Sequence, residues 1–274
     1  MRTLAFAKMH GAGNDFILVD NLAGRLRLRP AEVRFLCRRS FGVGADGVIL
    51  VERSRRADLK MRVFNPDGSE AEMCGNGIRC FALYARKRKL IRGDALSVET
   101  PAGIKTVRIA GATATVDMGE PEFEGRKVPA RHAGEILDLP RRFGSARFRI
   151  SCLSLGNPHC VIFRRAAKVG EAARAGERIE DDPFFPRRTN VEFVLVKSPQ
   201  EIDVEVWERG AGITLACGTG ACAAAVASAR LGKTGRRVKV RLPGGELRVE
   251  WAKDNHVYLT GPAVFVFSGE VCLP

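Results

Sequence analysis

One short motif occurs twice in this 274-residue chain, and its spacing constrains everything else. Cys74-Gly-Asn-Gly77 recurs as Cys217-Gly-Thr-Gly220, 143 positions later. Other marks travel with the same offset. Gly13-Asn14 falls on Gly156-Asn157, and Phe16-Ile-Leu-Val19 falls on His159-Cys-Val-Ile162. Gly47-Val-Ile-Leu-Val51 falls on Asn190-Val-Glu-Phe-Val194, and Lys60-Met-Arg-Val-Phe-Asn65 on Asp203-Val-Glu-Val-Trp-Glu208. With an offset one shorter, Thr100-Pro-Ala-Gly103 falls on Leu242-Pro-Gly-Gly245 and Gly119 on Gly261. Self-similarity at a fixed period marks a duplicated structural unit. The length suits two domains of about 100–150 residues. We read two homologous domains, with boundaries near 1–118 and 119–262 and a proline-bearing linker near 120–147.

The pattern inside each half is mixed. Val48-Ile-Leu-Val51, Asp203-Val-Glu-Val-Trp207 and Arg248-Val-Glu-Trp251 are β-branched or alternating runs that predict strands. After each Cys-Gly turn the chain becomes helical, over Ile78–Ala85 and Ala221–Ala229, with Gly93 and Gly232 as candidate stops. These helices are apolar and rich in small residues, which predicts burial. The expected fold is α+β: two pseudo-symmetric halves, each a curved, mainly antiparallel sheet wrapped around a central helix. Met1–Lys8 reads as a first strand. It has no long apolar core of a signal peptide, so a cytoplasmic protein that does not enter a membrane is expected.

Each Cys therefore stands where a helix begins. The first N–H groups of a helix have no internal partner and carry partial positive charge. Such a turn binds a carboxylate and favours thiolate over thiol, and glycine lets a ligand approach the backbone. A pseudo-two-fold arrangement would face Cys74 and Cys217 across an interdomain cleft. Moving a proton from one face of a carbon to the other needs one acid and one base, and a thiol–thiolate pair supplies both. Two helix N-termini could stabilise a carbanion next to a carboxylate. The chemistry predicted is inversion at the α-carbon of an amino or hydroxy acid, with no metal and no organic cofactor.

The remaining six cysteines (Cys37, Cys80, Cys152, Cys160, Cys222, Cys272) read as small buried hydrophobes. No CxxC or HExxH occurs and the four histidines are scattered, so no metal site is expected. Gly42-Val-Gly-Ala-Asp-Gly47 fits a dinucleotide fingerprint, but a helical pattern precedes it and a strand follows, the reverse of what that site requires. The net charge of +14 comes as small basic clusters, with aromatics at only 7%, which predicts a basic surface without a nucleic-acid site.

Several motifs together are familiar. Gly11-Ala-Gly-Asn-Asp-Phe16, Phe64-Asn-Pro-Asp-Gly-Ser69, Met73-Cys-Gly-Asn-Gly-Ile-Arg79, Gly156-Asn-Pro-His159, Arg188-Thr-Asn-Val-Glu192 and Trp207-Glu-Arg-Gly-Ala-Gly212, leading to Ala216-Cys-Gly-Thr-Gly220, closely resemble the diaminopimelate epimerase family. The resemblance runs from residue 8 to about 262. It implies interconversion of L,L- and meso-2,6-diaminopimelate in lysine and cell-wall precursor synthesis, without pyridoxal phosphate, by a homodimer. It implies that Cys74 takes the proton from the L,L isomer and Cys217 returns one on the other face. Gly75, Asn76, Gly218 and Thr219 would hold the reacting carboxylate, and Glu208 the reacting amino group. Asn14, Asn65, Asn157, Asn190 and Arg209 would hold the distal end, and His159 would help set the protonation of the thiols. A last strand, 263–274, would return to the first domain.

Amides suit a distal end that carries both an ammonium and a carboxylate, and Arg209 suits the carboxylate. Gly47 departs from the Gln of some members, and Ile213 and Leu215 replace polar residues before the second Cys. A proline racemase or hydroxyproline epimerase is the rival on the same plan, but it lacks this asparagine set with Arg209. A nucleic-acid-binding protein is the rival of another class, and a salt-dependent mobility shift would support it.

Overall fold

The structure is a computed structural model that describes residues 2–166 and 170–274; Met1 lies outside them. Two compact units are present, Met1–Asp117 with Thr260–Pro274, and Met118–Leu259.

The first unit contains β1 (Arg2–Gly11), β2 (Asn14–Asp20), α1 (Pro30–Cys37), β3 (Gly47–Glu52), β4 (Leu59–Phe64), β5 (Glu70–Ala71), α2 (Gly75–Lys87), β6 (Ala95–Thr100), β7 (Gly103–Ala110) and β8 (Thr113–Asp117). The second contains β9 (Ile136–Phe143), β10 (Ala146–Ser154), β11 (Pro158–Arg164), α3 (Glu171–Glu180), β12 (Asn190–Ser198), β13 (Glu201–Glu208), β14 (Gly212–Thr214), α4 (Gly218–Arg230), β15 (Arg237–Leu242) and β16 (Gly245–Trp251). β17 (Val257–Pro262) carries the chain back, and β18 (Val264–Leu273) belongs to the first unit.

The strand pairings of the two units repeat each other pair by pair. β1–β2, β3–β4 and β6–β7 are antiparallel, as are β10–β11, β12–β13 and β15–β16. β2–β3 and β4–β6 are parallel, and so are β11–β12 and β13–β15. The registers agree as well. Phe16 stands opposite Gly47 as His159 stands opposite Asn190, and Val48 faces Phe64 as Val191 faces Trp207. β18 pairs with β1 as β9 pairs with β10. A parallel pair cannot be joined by a tight hairpin. Each unit meets that demand twice, with α1 and α2 in the first and α3 and α4 in the second.

Burial follows from this topology. β3 is buried along nearly its whole length and touches both α1 and α2, while β12 touches both α3 and α4. A strand covered on both faces loses the usual alternation and reads as a continuous apolar run. β13 keeps it, with Ile202, Val204 and Val206 buried between more exposed neighbours. The small side chains of α4 let strands close around it: Ala221 to Ala227 are all buried.

Three local expectations change. α4 ends on Gly232 as read, with left-handed φ 66° and bonds from Gly232 N to Ala229 O and from Lys233 N to Ser228 O. α2 ends in the same two-bond motif, but Lys89, not Gly93, takes the left-handed position (φ 57°), with Lys89 N bonding Arg86 O and Leu90 N bonding Ala85 O. The segment 120–147 is not a bare linker, since it contains β9 and a bridge from Glu122 to Ser154. Pro140 fits inside β9 because that strand pairs only with β10 among the described residues, so its missing N–H can face outward. Cys272, read as buried, is exposed on β18. No helix among the described residues is long and apolar enough to cross a membrane.

Candidate active site

In the first unit Cys74 is the N-cap of α2, in extended backbone (φ −138°, ψ 115°), and its Sγ accepts from Gly77 N at 3.4 Å. A side chain that accepts from N3 is the geometry of a helix cap, here made by sulfur. Around it the amides are fixed. Asn14 Nδ2 donates to Asp46 Oδ2 at 2.9 Å. Asn14 Oδ1 is therefore turned toward Asn76 Nδ2 (3.2 Å) and the Cys74 thiol (3.9 Å). Arg79, fully buried, donates to Gly75 O and to Asn76 Oδ1, both at 2.9 Å, and so locks the first turn of α2. Asp46 is held by Arg39, which also binds Asp15. Burial pushes the Asp15 carboxyl up, but its bonds to Lys8 and Arg39 outweigh that and hold it below the usual carboxylate range.

In the second unit Cys217 is the N-cap of α4, again in extended backbone (φ −116°, ψ 117°), with its Sγ accepting from Gly220 N at 3.4 Å. Thr219 Oγ1 lies 3.4 Å from the sulfur. Asn157 Nδ2 donates to Thr219 Oγ1 at 3.2 Å, and Asn157 Oδ1 faces His159 Nε2 at 3.0 Å. His159 Nδ1 meets Glu192 Oε1 at 2.7 Å, and both residues are fully buried. Thr214 donates to Glu208 Oε1 at 2.5 Å, and the Cys217 thiol hydrogen-bonds the same carboxyl.

The electrostatics correct one expectation. Both turns were expected to favour thiolate. At Cys217 burial pushes the thiol well above its ordinary value, the Glu208 and Glu192 carboxylates add to the rise, and Thr219 and Gly220 N–H offset it only in part. Removing a sulfur from water costs the anion more than one helix terminus returns. Burial likewise raises Glu208, against its bonds to Thr214 and Cys217, and raises Glu192, against His159. Burial thus favours the thiol form of Cys217, which hydrogen-bonds the Glu208 carboxyl.

The other residues singled out in the sequence divide by accessibility. Gly75 and Gly218 open the two central helices and are buried, with Asn76 and Thr219 following them. Asn190 is buried and spends its amide on the backbone, donating to Pro158 O at 2.8 Å and accepting from Arg209 N at 3.0 Å. Asn65 and Arg209 are exposed, Asn65 in a turn where it bonds Ser69 Oγ and Arg209 with one bond to Arg187 O. Gly47 has no room for a side chain: a Cβ would come within 2.9 Å of Phe64 O. Ile213 and Leu215 are exposed, each at 54%. Sequence reasoning missed Asp46, Arg79, Glu192 and Thr214 as organisers of the two turns. Glu192 carried a legible signal, because it is a charged residue at a position where the repeat places Ile49 in a buried strand. Among the described residues no cluster of three or more His, Cys, Asp or Glu could hold a metal ion.

Comparison with known proteins gives one consistent result. The diaminopimelate epimerase family model matches residues 6–124 and 151–266. Diaminopimelate epimerase of Moorella thermoacetica is 50% identical over 275 residues, covering 97% of this chain and 98% of its own. That of Desulfitobacterium hafniense is 49% identical, covering 97% of each. Among solved structures, a phenazine biosynthesis protein of the PhzF family from Bacillus anthracis superposes with a TM-score of 0.71 at 19% identity, covering all of both chains. A hydroxyproline epimerase from Agrobacterium vitis gives 0.70 at 15%, covering 98% of this chain and 92% of that one. At those identities the structural likeness shows the fold: two pseudo-symmetric α+β halves, each a mainly antiparallel sheet around a helix.

Proposed function

The chain belongs to the diaminopimelate epimerase family and is an isomerase, and on that premise we propose that it interconverts L,L- and meso-diaminopimelate with Cys74 and Cys217 as the acid–base pair. The observation that carries this is the repeated sulfur cap: each Cys opens its unit's central helix and accepts from the N–H three residues on. In the forward step the Cα–H bond breaks, its proton goes to the Cys74 thiolate, and its electron pair stays on carbon. Carbon then takes a proton from the Cys217 thiol on the opposite face, leaving Cys217 as thiolate. Nothing is oxidised or reduced. The N–H groups of Gly75, Asn76, Gly218 and Thr219 suit the carboxylate whose charge grows as the carbanion forms. Glu208 suits the reacting ammonium and can accept the Cys217 proton when the reaction runs backward. Asn14, Asn65, Asn157, Asn190 and Arg209 suit the distal zwitterion; Asn65 and Arg209 are exposed, and Asn190 accepts from the Arg209 N–H and holds that turn in place.

The reaction serves lysine and cell-wall precursor synthesis in the cytoplasm, with a homodimer as the working form, for which light scattering in solution is the measure. Incubation with L,L-diaminopimelate in heavy water tests the activity. One deuterium should enter at the inverted α-carbon of the meso product; inversion with the original hydrogen retained would overturn the two-base scheme. Proline and hydroxyproline in the same assay should stay unchanged.

Two further outcomes are expected. Arg209→Met should raise KM by about 10–100-fold, with kcat less affected, because a charged hydrogen bond to a distal carboxylate contributes roughly 1.5–3 kcal/mol to binding. The pH profile of kcat/KM should be bell-shaped. Its alkaline limb should lie above the ordinary thiol value of 9.0, since the Cys217 thiol is shifted upward and the active form must keep one proton on the pair. An alkaline limb at or below that value would contradict the assignment.

A further inference from the structure

The repeat places Phe16 where the second unit has His159, and Ile49 where it has Glu192. All four are buried: Phe16 is 2% exposed, and Ile49, His159 and Glu192 are 0%. The same fold is thus built once with an apolar pair and once with an ionisable pair. Burying charged groups costs free energy that an apolar pair of similar size does not. Glu192 moreover leaves Oε2 without a hydrogen-bond partner among the described residues. It also forbids a side chain on its neighbour, since a Cβ at Gly220 would lie 2.8 Å from Oε1. The fold does not need this pair, so its purpose lies in what it touches.

It touches the second sulfur through a chain of hydrogen bonds. Asn157 donates to Thr219 through Nδ2, so its oxygen faces His159 Nε2, and Nε2 must carry a proton. Nδ1 then shares a second proton with Glu192, whichever of the two holds it. Thr219 Oγ1 accepts from Asn157, which leaves its own O–H to donate to Cys217 Sγ. In the first unit Asp46 turns the equivalent amide the other way, and Asn14 presents oxygen to Cys74. The amide of the first unit thus turns an oxygen toward its sulfur, whereas the amide of the second leaves Thr219 to turn an O–H toward Cys217, beside the Glu208 carboxyl. We propose that Glu192 is a positioning residue: through His159, Asn157 and Thr219 it aims an O–H donor at Cys217.

This deepens the epimerase assignment, on which its catalytic consequence rests, but the effect on the sulfur can be read without substrate. The groups facing Cys217 are Glu208, Glu192, Thr219 and the Gly220 N–H. The two carboxylates oppose its ionisation more strongly than the Thr219 donor supports it, so the donor is read with those charges held equal. The experiment is iodoacetamide alkylation of the full-length protein at a fixed, mildly alkaline pH, with Cys217 and Cys74 followed separately by peptide mass spectrometry. With Glu192 and His159 in place, Thr219→Val should slow alkylation of Cys217 by about tenfold, the loss of thiolate that one pKa unit brings, and leave Cys74 unchanged. In the double variant His159→Phe with Glu192→Ile, which copies the first unit's apolar pair, the same Thr219→Val change should have little effect, because the O–H is no longer aimed at the sulfur. Should that double variant fold poorly, His159→Phe alone serves as the background and should give the same result. An equal slowing by Thr219→Val with and without the pair, or none in either, overturns the proposal. A slowing that depends on the pair in a protein that proves unable to epimerise diaminopimelate would leave this inference standing and sink the substrate assignment instead.

Discussion

Replacing either Cys74 or Cys217 with Ala is expected to abolish epimerisation while leaving half of the chemistry intact. A single positioned acid or base contributes about 10²–10⁴-fold, and here each direction needs both. Loss of measurable inversion, at least ~10³-fold, is therefore expected for each variant. The sharper result concerns exchange. With Cys217 absent, Cys74 can still remove the α-proton of the L,L isomer and return one from solvent to the same face. Cys217→Ala should then exchange hydrogen for deuterium in L,L-diaminopimelate without inverting it, and Cys74→Ala should do the same with the meso form. Both helices should remain folded, because the cap that each sulfur provides, from Gly77 N or Gly220 N, is one weak bond among many. Substantial inversion in either variant would exclude a two-thiol mechanism. Exchange in the same isomer by both variants would exclude the assignment of one thiol to each face.

The largest loss of stability is expected from Gly42→Ala. A Cβ at position 42 would lie 1.8 Å from Phe35 O and 2.9 Å from its carbonyl carbon, both backbone atoms near the end of α1. Neither can move without breaking the turn in which Gly42 N bonds Arg38 O and Gly44 N bonds Leu36 O. Overpacking of this kind costs roughly 3 kcal/mol or more. A drop in Tm of about 10 °C follows for a domain of this size. Gly24→Ala is the control: its φ is positive but nothing lies within 4 Å of the new Cβ, so only about 1 kcal/mol of backbone strain is expected. A Gly42→Ala protein as stable as wild type would show that the loop can give way. The pattern of glycines at 42, 44 and 47 thus answers to close passage of the chain across α1 and β4, and its likeness to a dinucleotide fingerprint is incidental.

Much of the fold was legible because duplication leaves a long-range signal in a one-dimensional string. The offset of 143 pairs Phe16 with His159 and Gly47 with Asn190, and the strand registers repeat those pairings. The central helices were legible because each follows a Cys-Gly turn and runs through small apolar residues. The position of the α2 terminus was not, since a left-handed Lys89 leaves no compositional trace of the kind Gly232 does. Pro140 within β9 misled for a related reason: whether a proline is tolerated depends on which edge of a strand is unpaired, and that is set by distant neighbours.

What the sequence by itself determined was the duplication, the two sulfur-capped helices and, through the resemblance, the family. Those are matters of spacing and of residue type at a helix terminus, and both are local or periodic. The tertiary structure alone decided how the two copies differ. His159 meets Glu192 from 33 positions away, Asn14 meets Asp46 from 32, and these contacts turn repeat-related amides in opposite senses. Burial likewise raised the Cys217 thiol where a helix terminus alone predicts the reverse, because desolvation depends on everything packed around a group and not on its own neighbours in the chain.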